Sequence, residues 1–369
     1  MNTQPICRPP GDPRVEIIEF CTSDGLQLFF RRGRRSSGGL PTGRPILMIH
    51  GGSASCDTFL APRGKSIFDS LSAKGLDIWL LDWSASHYIA DSDPVGANRT
   101  LDDAARVDIA EAVDCVFKNT GETTVSVLAH CLGAACLSMA IGGGHIVPGQ
   151  IDKVLLSTIG LFYEVAWDGW AKTQDRLLDR MATCNPPAKI SPADAVWHEM
   201  LEELYKMWPE AWGPIWDDEF FKRLAFMFGQ PFLPSNLHPA MTKEIVLQQF
   251  GSFPFKLFQH GGQNAIRGFA GSFDAEGSLS STTPNDRIRS TIAETYLRPE
   301  RFRDLHITLL TGGGNPLWHR DSIDRMAEWL GRAGDWPQKF VLPGYGHQDL
   351  WWGPTSSTDV FPRVFDALI

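Results

Sequence analysis

No apolar stretch in this 369-residue sequence approaches the roughly 20 residues that cross a bilayer, so no integral membrane segment is expected. The opening MNTQPICRPPGDPRVEIIEF lacks a charged start followed by an apolar core, and so reads against a secretory signal. Cysteine is sparse: seven residues, an odd number, irregularly spaced and with no CxxC pair. That suits reduced thiols in a cytoplasmic protein better than a disulfide framework or a zinc site. Basic charge is in deficit, and a net charge of −9 argues against nonspecific binding to nucleic acid or anionic membranes. HExxH, a P-loop and spaced Cys/His sets are all missing, so no metal and no cofactor is expected. Repeats and low-complexity tracts are missing too. The Gly142-Gly143-Gly144 run follows a helical segment and reads as a helix stop, not a dinucleotide loop.

What is present is apolar and alternating. Hydrophobic residues make up 43% of the chain and charged residues 21%, enough for a large core. Residues 1–14 read as a loose N-terminal arm. Segments 15–20 and 26–32 read as strands around the turn Ser23-Asp24-Gly25, with the RRGRR run at 31–35 as a solvated hairpin end. Pro45–Ile49 and 76–82 are continuous apolar runs, as in strands buried on both faces. Helices are expected over 66–73 and 321–330. A third, over 101–118, carries Leu101, Ala105, Ile109, Val113 and Val116 on one face. Further strands fall at 154–156, 307–310 and 340–342. Strands alternating with helices indicate the α/β class, with a mostly parallel sheet covered on both faces. Residues 160–294 break the alternation and are rich in rings, among them Trp167, Trp170, Trp197, Trp208, Trp212, Phe226 and Phe253. They read as a helical cap over the C-terminal edge of the sheet, where open α/β sheets bind ligands. The core then comprises 15–159 and 295–369. Most of the rings should form the cap's own core, and a few should line an apolar pocket.

The stretch 123–141, TTVSVLAHCLGAACLSMAI, organises the rest. It passes from a β-branched run through Ala129-His130-Cys131-Leu132-Gly133 into a small-residue helix. That is the pattern of a nucleophile elbow, with small residues two before and two after the apex. Cys131 stands at the apex, where a helix N-terminus favours thiolate. Cys7, Cys21, Cys56, Cys115, Cys136 and Cys184 read instead as small buried hydrophobes. An oxyanion hole needs two backbone N–H donors. Leu132, next after the nucleophile, and Gly52 in His50-Gly51-Gly52 are the candidates, with Ser53 the alternative to Gly52. His347, in the loop Pro343-Gly344-Tyr345-Gly346-His347, is the expected base, and His319 its rival. His130 should point away from the nucleophile. After strand 307–310, Asn315 occupies the place of a triad acid and could orient an imidazole by hydrogen bonding. Asp321, Asp324 and Asp349 are the competing carboxylates, while Asp82 reads as structural.

These residues resemble the α/β-hydrolase superfamily. More narrowly, VLAHCLGAACLSMAI, RLAFMFGQPFLPSNL and GYGHQDLWWGPTSSTDVFPRVFDAL are similar to the hydrolase domain associated with cholesterol-oxidase-like glucose–methanol–choline oxidoreductases. The phrase HQDLWWG and the segments 76–83 and 108–121 also resemble acid lipases. The resemblance implies an α/β-hydrolase fold with an eight-stranded sheet and a large helical cap. It also implies Cys131 as nucleophile, His347 as base and acyl transfer on a lipid-like substrate. The expected partner is a hydrophobic small-molecule acyl ester or thioester, with carrier- or coenzyme A-bound forms as candidates. The competing expectations are a lyase, cyclase or carbon–carbon bond hydrolase, and a noncatalytic ligand-binding protein.

Overall fold

The computed structural model describes residues 8–34, 41, 43–91, 94–165, 176–194, 197–207, 216, 218–274 and 296–369. Strands β1 (Val15–Cys21), β2 (Gln27–Gly33), β3 (Pro45–Ile49), β4 (Asp77–Asp82), β5 (Val125–His130) and β6 (Ile151–Ser157) come first. A small antiparallel ribbon follows, β7 (Lys189–Ile190) with β8 (Phe253–Pro254). Strands β9 (His306–Gly312) and β10 (Gln338–Leu342) then complete the main sheet. Its order is β1-β2-β4-β3-β5-β6-β9-β10, with antiparallel pairing only at β1–β2 and β2–β4. The mostly parallel sheet expected from the alternation is therefore present, with the eight strands that the resemblance implies.

Every residue of β3, β4 and β5 is buried. Along these buried strands, side chains alternate between two faces. Leu47, Ile49, Trp79 and Leu81 pack with Ala105, Ile109, Ala134 and Leu137 on one side of the sheet. Ile46, Met48, Ile78 and Leu80 pack with Phe59, Phe68, Leu71 and Val364 on the other. Helices thus cover both faces.

Four local expectations give way. Arg31 and Arg32 are not a solvated hairpin end: both are buried in β2. Arg31 Nε donates to Asp82 Oδ2 (3.0 Å) and its Nη1 to Asp57 Oδ1 (2.6 Å), while Arg32 forks onto Asp77. Carboxylates at the two ends of the neighbouring β4 take charges that the sequence alone places in water. The helix expected over 101–118 runs as Leu101–Asp103, a π-helical stretch Ala104–Ile109 and a regular helix Ala110–Thr120. Within the π stretch Asp108 is fully buried against Arg99. Cys56 and Cys136 are buried as expected, but Cys21 and Cys184 are exposed and Cys115 is half-buried; Cys7 lies outside the described residues. The region after β6 also contains the ribbon β7–β8, not helices alone.

That region carries the helices Leu177–Thr183, Glu199–Met207, Glu219–Phe228, Lys243–Leu247 and Phe255–Arg267. Leu177, Met181, Trp197, Leu201, Phe226 and Phe255 form a core of their own. Phe221, Phe232 and Phe250 instead join the core on one face of the sheet, and Phe253 and Phe269 that on the other, so the rings are shared with the main core more than expected. Trp167, Trp170, Trp208, Trp212 and the stretch 275–294 lie outside the described residues.

Candidate active site

Strand β5 ends at His130 and the helix Leu132–Gly143 follows, with Cys131 alone between them. Cys131 makes the turn at φ 54 and ψ −129, a conformation side-chain-bearing residues rarely adopt, at a cost of about 1–3 kcal/mol. Backbone hydrogen bonds hold it there. Cys131 N–H donates to Ser157 O (2.9 Å), and Ala134 N–H donates back to Cys131 O (2.9 Å). The packing explains the small residue after the apex: a Cβ on Gly133 would lie 2.4 Å from His50 O.

The loop after β3 runs against this turn. A Cβ on Gly51 would sit 2.8 Å from Cys131 Cβ. A buried polar network backs the loop. His50 Nδ1 donates to Gly51 O (2.7 Å), Trp83 Nε1 to His50 O (3.1 Å), and Asp82 lies 3.6 Å from His50 Nε2. Burial holds His50 neutral, its pKa lowered to about 4 against the attraction of Asp82. Asp82 is structural, as expected: it accepts from Arg31, from Cys56 N–H and from Ser86.

One side-chain donor is aimed at the sulfur, Trp318 Nε1 at 3.4 Å from Cys131 Sγ, and the backbone N–H groups of Leu132 and Gly52 also favour its thiolate form. Burial nonetheless pushes the thiol above its ordinary value, and these three neutral donors only oppose the rise. The thiolate expected from the helix N-terminus is therefore not the resting form, because the apex lies 9% exposed under the region that follows β6.

Strand β9 and the loop after β10 meet backbone to backbone. A Cβ on Gly312 would fall 2.1 Å from Gly346 O and 2.3 Å from Tyr345 O. This contact sets Asn315 beside His347, with Asn315 Nδ2 3.2 Å from His347 Nδ1. Asn315 Oδ1 accepts from Leu317 N–H (3.0 Å) and Trp318 N–H (3.3 Å). His347 is buried, and burial alone lowers its pKa to about 3.

The competing residues lie elsewhere. His319 is exposed and pairs with Asp321 (3.2 Å). Asp324 faces Lys339 and Arg320. Asp349 accepts from Gly346 N–H, Leu233 N–H and Asn236 Nδ2, tying the His347 loop to residues 233–236.

Cys131, Gly52, Leu132, Trp318 and His347 line the floor of one pocket. Its walls include Leu177, Leu224, Phe226, Phe228, Phe253 and Phe258, with Arg176, Asp179, Gln259 and Gln263 as polar members. Two contributors escape a sequence reading. Trp318 has no motif around it, and only the spacing from Asn315 hints at its reach. His130 does not merely point away: its ring centroid lies 4.6 Å from that of His347. Among the described residues, no group of His, Cys, Asp and Glu could hold a metal ion.

No family model and no curated relative matches the chain. Solved structures do. The chain is similar to a lipase in its open form, at 15% identity and a TM-score of 0.56, over 95% of this chain and 97% of that one. It is similar to the esterase RhEst1 from Rhodococcus sp. ECU1013, at 15% identity and a TM-score of 0.52, over 95% and 97%. DcsB, solved in complex with its substrate analogue, is similar at 14% identity and a TM-score of 0.53, over 95% and 98%. At these identities the likeness shows the fold, which is that of the α/β-hydrolases.

Proposed function

We propose that the chain is an acyl-transfer enzyme that takes a hydrophobic acyl group from an ester or thioester onto Cys131. What carries this is the sulfur itself, held in the strained elbow and surrounded by N–H donors on the floor of an apolar pocket. The sulfur would attack the acyl carbonyl and form an S-acyl intermediate. As it bonds to carbon it would release the N–H groups of Gly52 and Leu132, which then receive the developing oxyanion. His347 lines the same pocket and is the imidazole available to the reacting centre. Two of the similar structures are a lipase and an esterase, in keeping with this chemistry. The narrower resemblance to hydrolase domains beside cholesterol-oxidase-like enzymes supports a lipid-like acyl group.

The test is mass spectrometry after incubation with aryl esters and acyl thioesters. An acyl adduct should appear on Cys131, and Cys131→Ala should lose both adduct and turnover. Undiminished turnover in Cys131→Ala would refute the proposal. Turnover retained by Cys131→Ser with no adduct would favour a lyase, cyclase or carbon–carbon bond hydrolase.

A further inference from the structure

We infer that Asn315 locks His347 in the tautomer with a bare Nδ1 and a protonated Nε2, which suits the site to thioester donors and to acceptors that need no base. The inference rests on the acyl-transfer reading for its substrate class, but not for the tautomer. Two backbone N–H groups, of Leu317 and Trp318, point at one terminal atom of the Asn315 side chain. An amide nitrogen has no free lone pair, so that atom is the oxygen. The amide NH2 therefore faces His347 Nδ1 at 3.2 Å and donates to it. In a neutral imidazole one nitrogen accepts and the other carries the proton, so the proton sits on Nε2.

A triad carboxylate does the reverse. It accepts from Nδ1–H and leaves Nε2 bare to take the nucleophile's proton; an asparagine in that place selects the wrong tautomer, at a cost of about 10⁴ in turnover in the serine-protease case. Among the described residues, nothing around His347 restores the cationic form. His130, against its ring, is buried and held neutral, and its Nδ1 lies 3.0 Å from Ser157 Oγ. Asp349, two residues on, turns its oxygens to Gly346, Leu233 and Asn236. Cys131 is a neutral thiol at rest. An imidazolium would set Nδ1–H against the amide NH2. The expected base is thus a hydrogen-bond donor.

The acylation step balances without it. Solvent hydroxide takes the Cys131 proton, the thiolate bonds to the acyl carbon, and the acyl–sulfur bond of the donor breaks. The donor's sulfur leaves as a thiolate and takes its proton from water. An alkoxide is too basic to leave unaided, so alkyl esters are poor donors. In the second step a thiolate or an amine attacks the S-acyl carbon unassisted, whereas water needs a base to remove its proton. Transfer should therefore outrun hydrolysis.

The experiment uses the full chain and the isosteric Asn315→Asp. Nitrogen-15 NMR of histidine-labelled protein reads the tautomer directly. His347 Nδ1 should resonate as a bare nitrogen in the wild type and as a protonated one in Asn315→Asp. Decanoyl-N-acetylcysteamine should acylate the wild-type protein, and methyl decanoate should not. The rate should climb with pH with no break near neutrality. The S-acyl enzyme should discharge to added N-acetylcysteamine faster than to water. Asn315→Asp should hydrolyse that intermediate roughly 10²-fold faster, the low end of what a positioned base contributes. A protonated Nδ1 in the wild type, or slower hydrolysis in Asn315→Asp, overturns the inference even if Cys131 is acylated. A bare Nδ1 with no adduct from any donor leaves the tautomer standing and overturns its substrate class together with the acyl-transfer reading. If Asn315→Asp does not fold, the wild-type spectrum and its pH profile still decide.

Discussion

Replacing Gly261 with alanine separates the stability of one helix from the space it leaves open. Gly261 and Gly262 lie in the interior of the helix Phe255–Arg267, where glycine is less favourable than alanine by about 0.8–1.0 kcal/mol. A Cβ on Gly262 would meet Leu178 Cδ1 at 3.1 Å, so packing gives some reason for that glycine. Gly261 has no such reason among the described residues, none of which a Cβ there would meet within 4 Å. It does line the pocket that contains Cys131. On the acyl-transfer reading, the helix forgoes stability to keep room for a chain. Gly261→Ala should therefore raise the unfolding free energy by about 1 kcal/mol, read as a higher urea midpoint at unchanged slope. The methyl group occupies roughly the volume of one methylene, worth about 0.8 kcal/mol, so acyl chains long enough to reach it should lose about fourfold in acylation efficiency. Shorter chains should be unaffected. The assay is the acylation rate of Cys131 across thioesters from butyryl to dodecanoyl. A more stable protein with an unchanged chain-length profile would refute a substrate in that space. A less stable protein would refute the helix argument itself.

The inner sheet was legible because its strands are short apolar runs between helical patterns, as parallel strands buried on both faces tend to be. The elbow was legible because close packing against His50 leaves room for little beyond hydrogen at Gly133. Long-range charge pairing was not. Nothing local to RRGRR reveals that Asp57, Asp77 and Asp82 wait on neighbouring elements for Arg31 and Arg32. The π-helical stretch Ala104–Ile109 was hidden for a related reason, since its apolar spacing fits a regular helix. At the site, sequence could place Asn315 near His347 but not orient its amide. That orientation depends on two backbone N–H groups of the next three residues, a matter of loop shape and not of residue type. The protonation of Cys131 was misjudged on the same ground: a helix N-terminus favours thiolate, but the depth of burial outweighs it.

Trp318→Phe removes the indole donor while leaving the Trp318 backbone N–H on Asn315 and a ring against Tyr163. A hydrogen bond to a charged group is worth about 1.5–3 kcal/mol, so alkylation of Cys131 by iodoacetamide at fixed pH should slow by roughly tenfold or more. An unchanged rate would show that the indole does not stabilise the thiolate. Acid should weaken the fold earlier than carboxylate titration would. Burial lowers His50 to about 4 and His347 to about 3, from an ordinary 6.5. Between those values the unfolded chain binds protons that the folded chain refuses, so stability is full above pH 6.5 and falls as pH drops below it. Each such histidine contributes about 1.4 kcal/mol per pH unit once its unfolded form is protonated, so urea midpoints should already decline between pH 6.5 and about pH 5. His50→Gln cannot titrate, and should flatten that decline even if it lowers stability at neutral pH. A wild-type midpoint that stays level until about pH 4, where carboxylates titrate, would mean that these imidazoles are not held neutral.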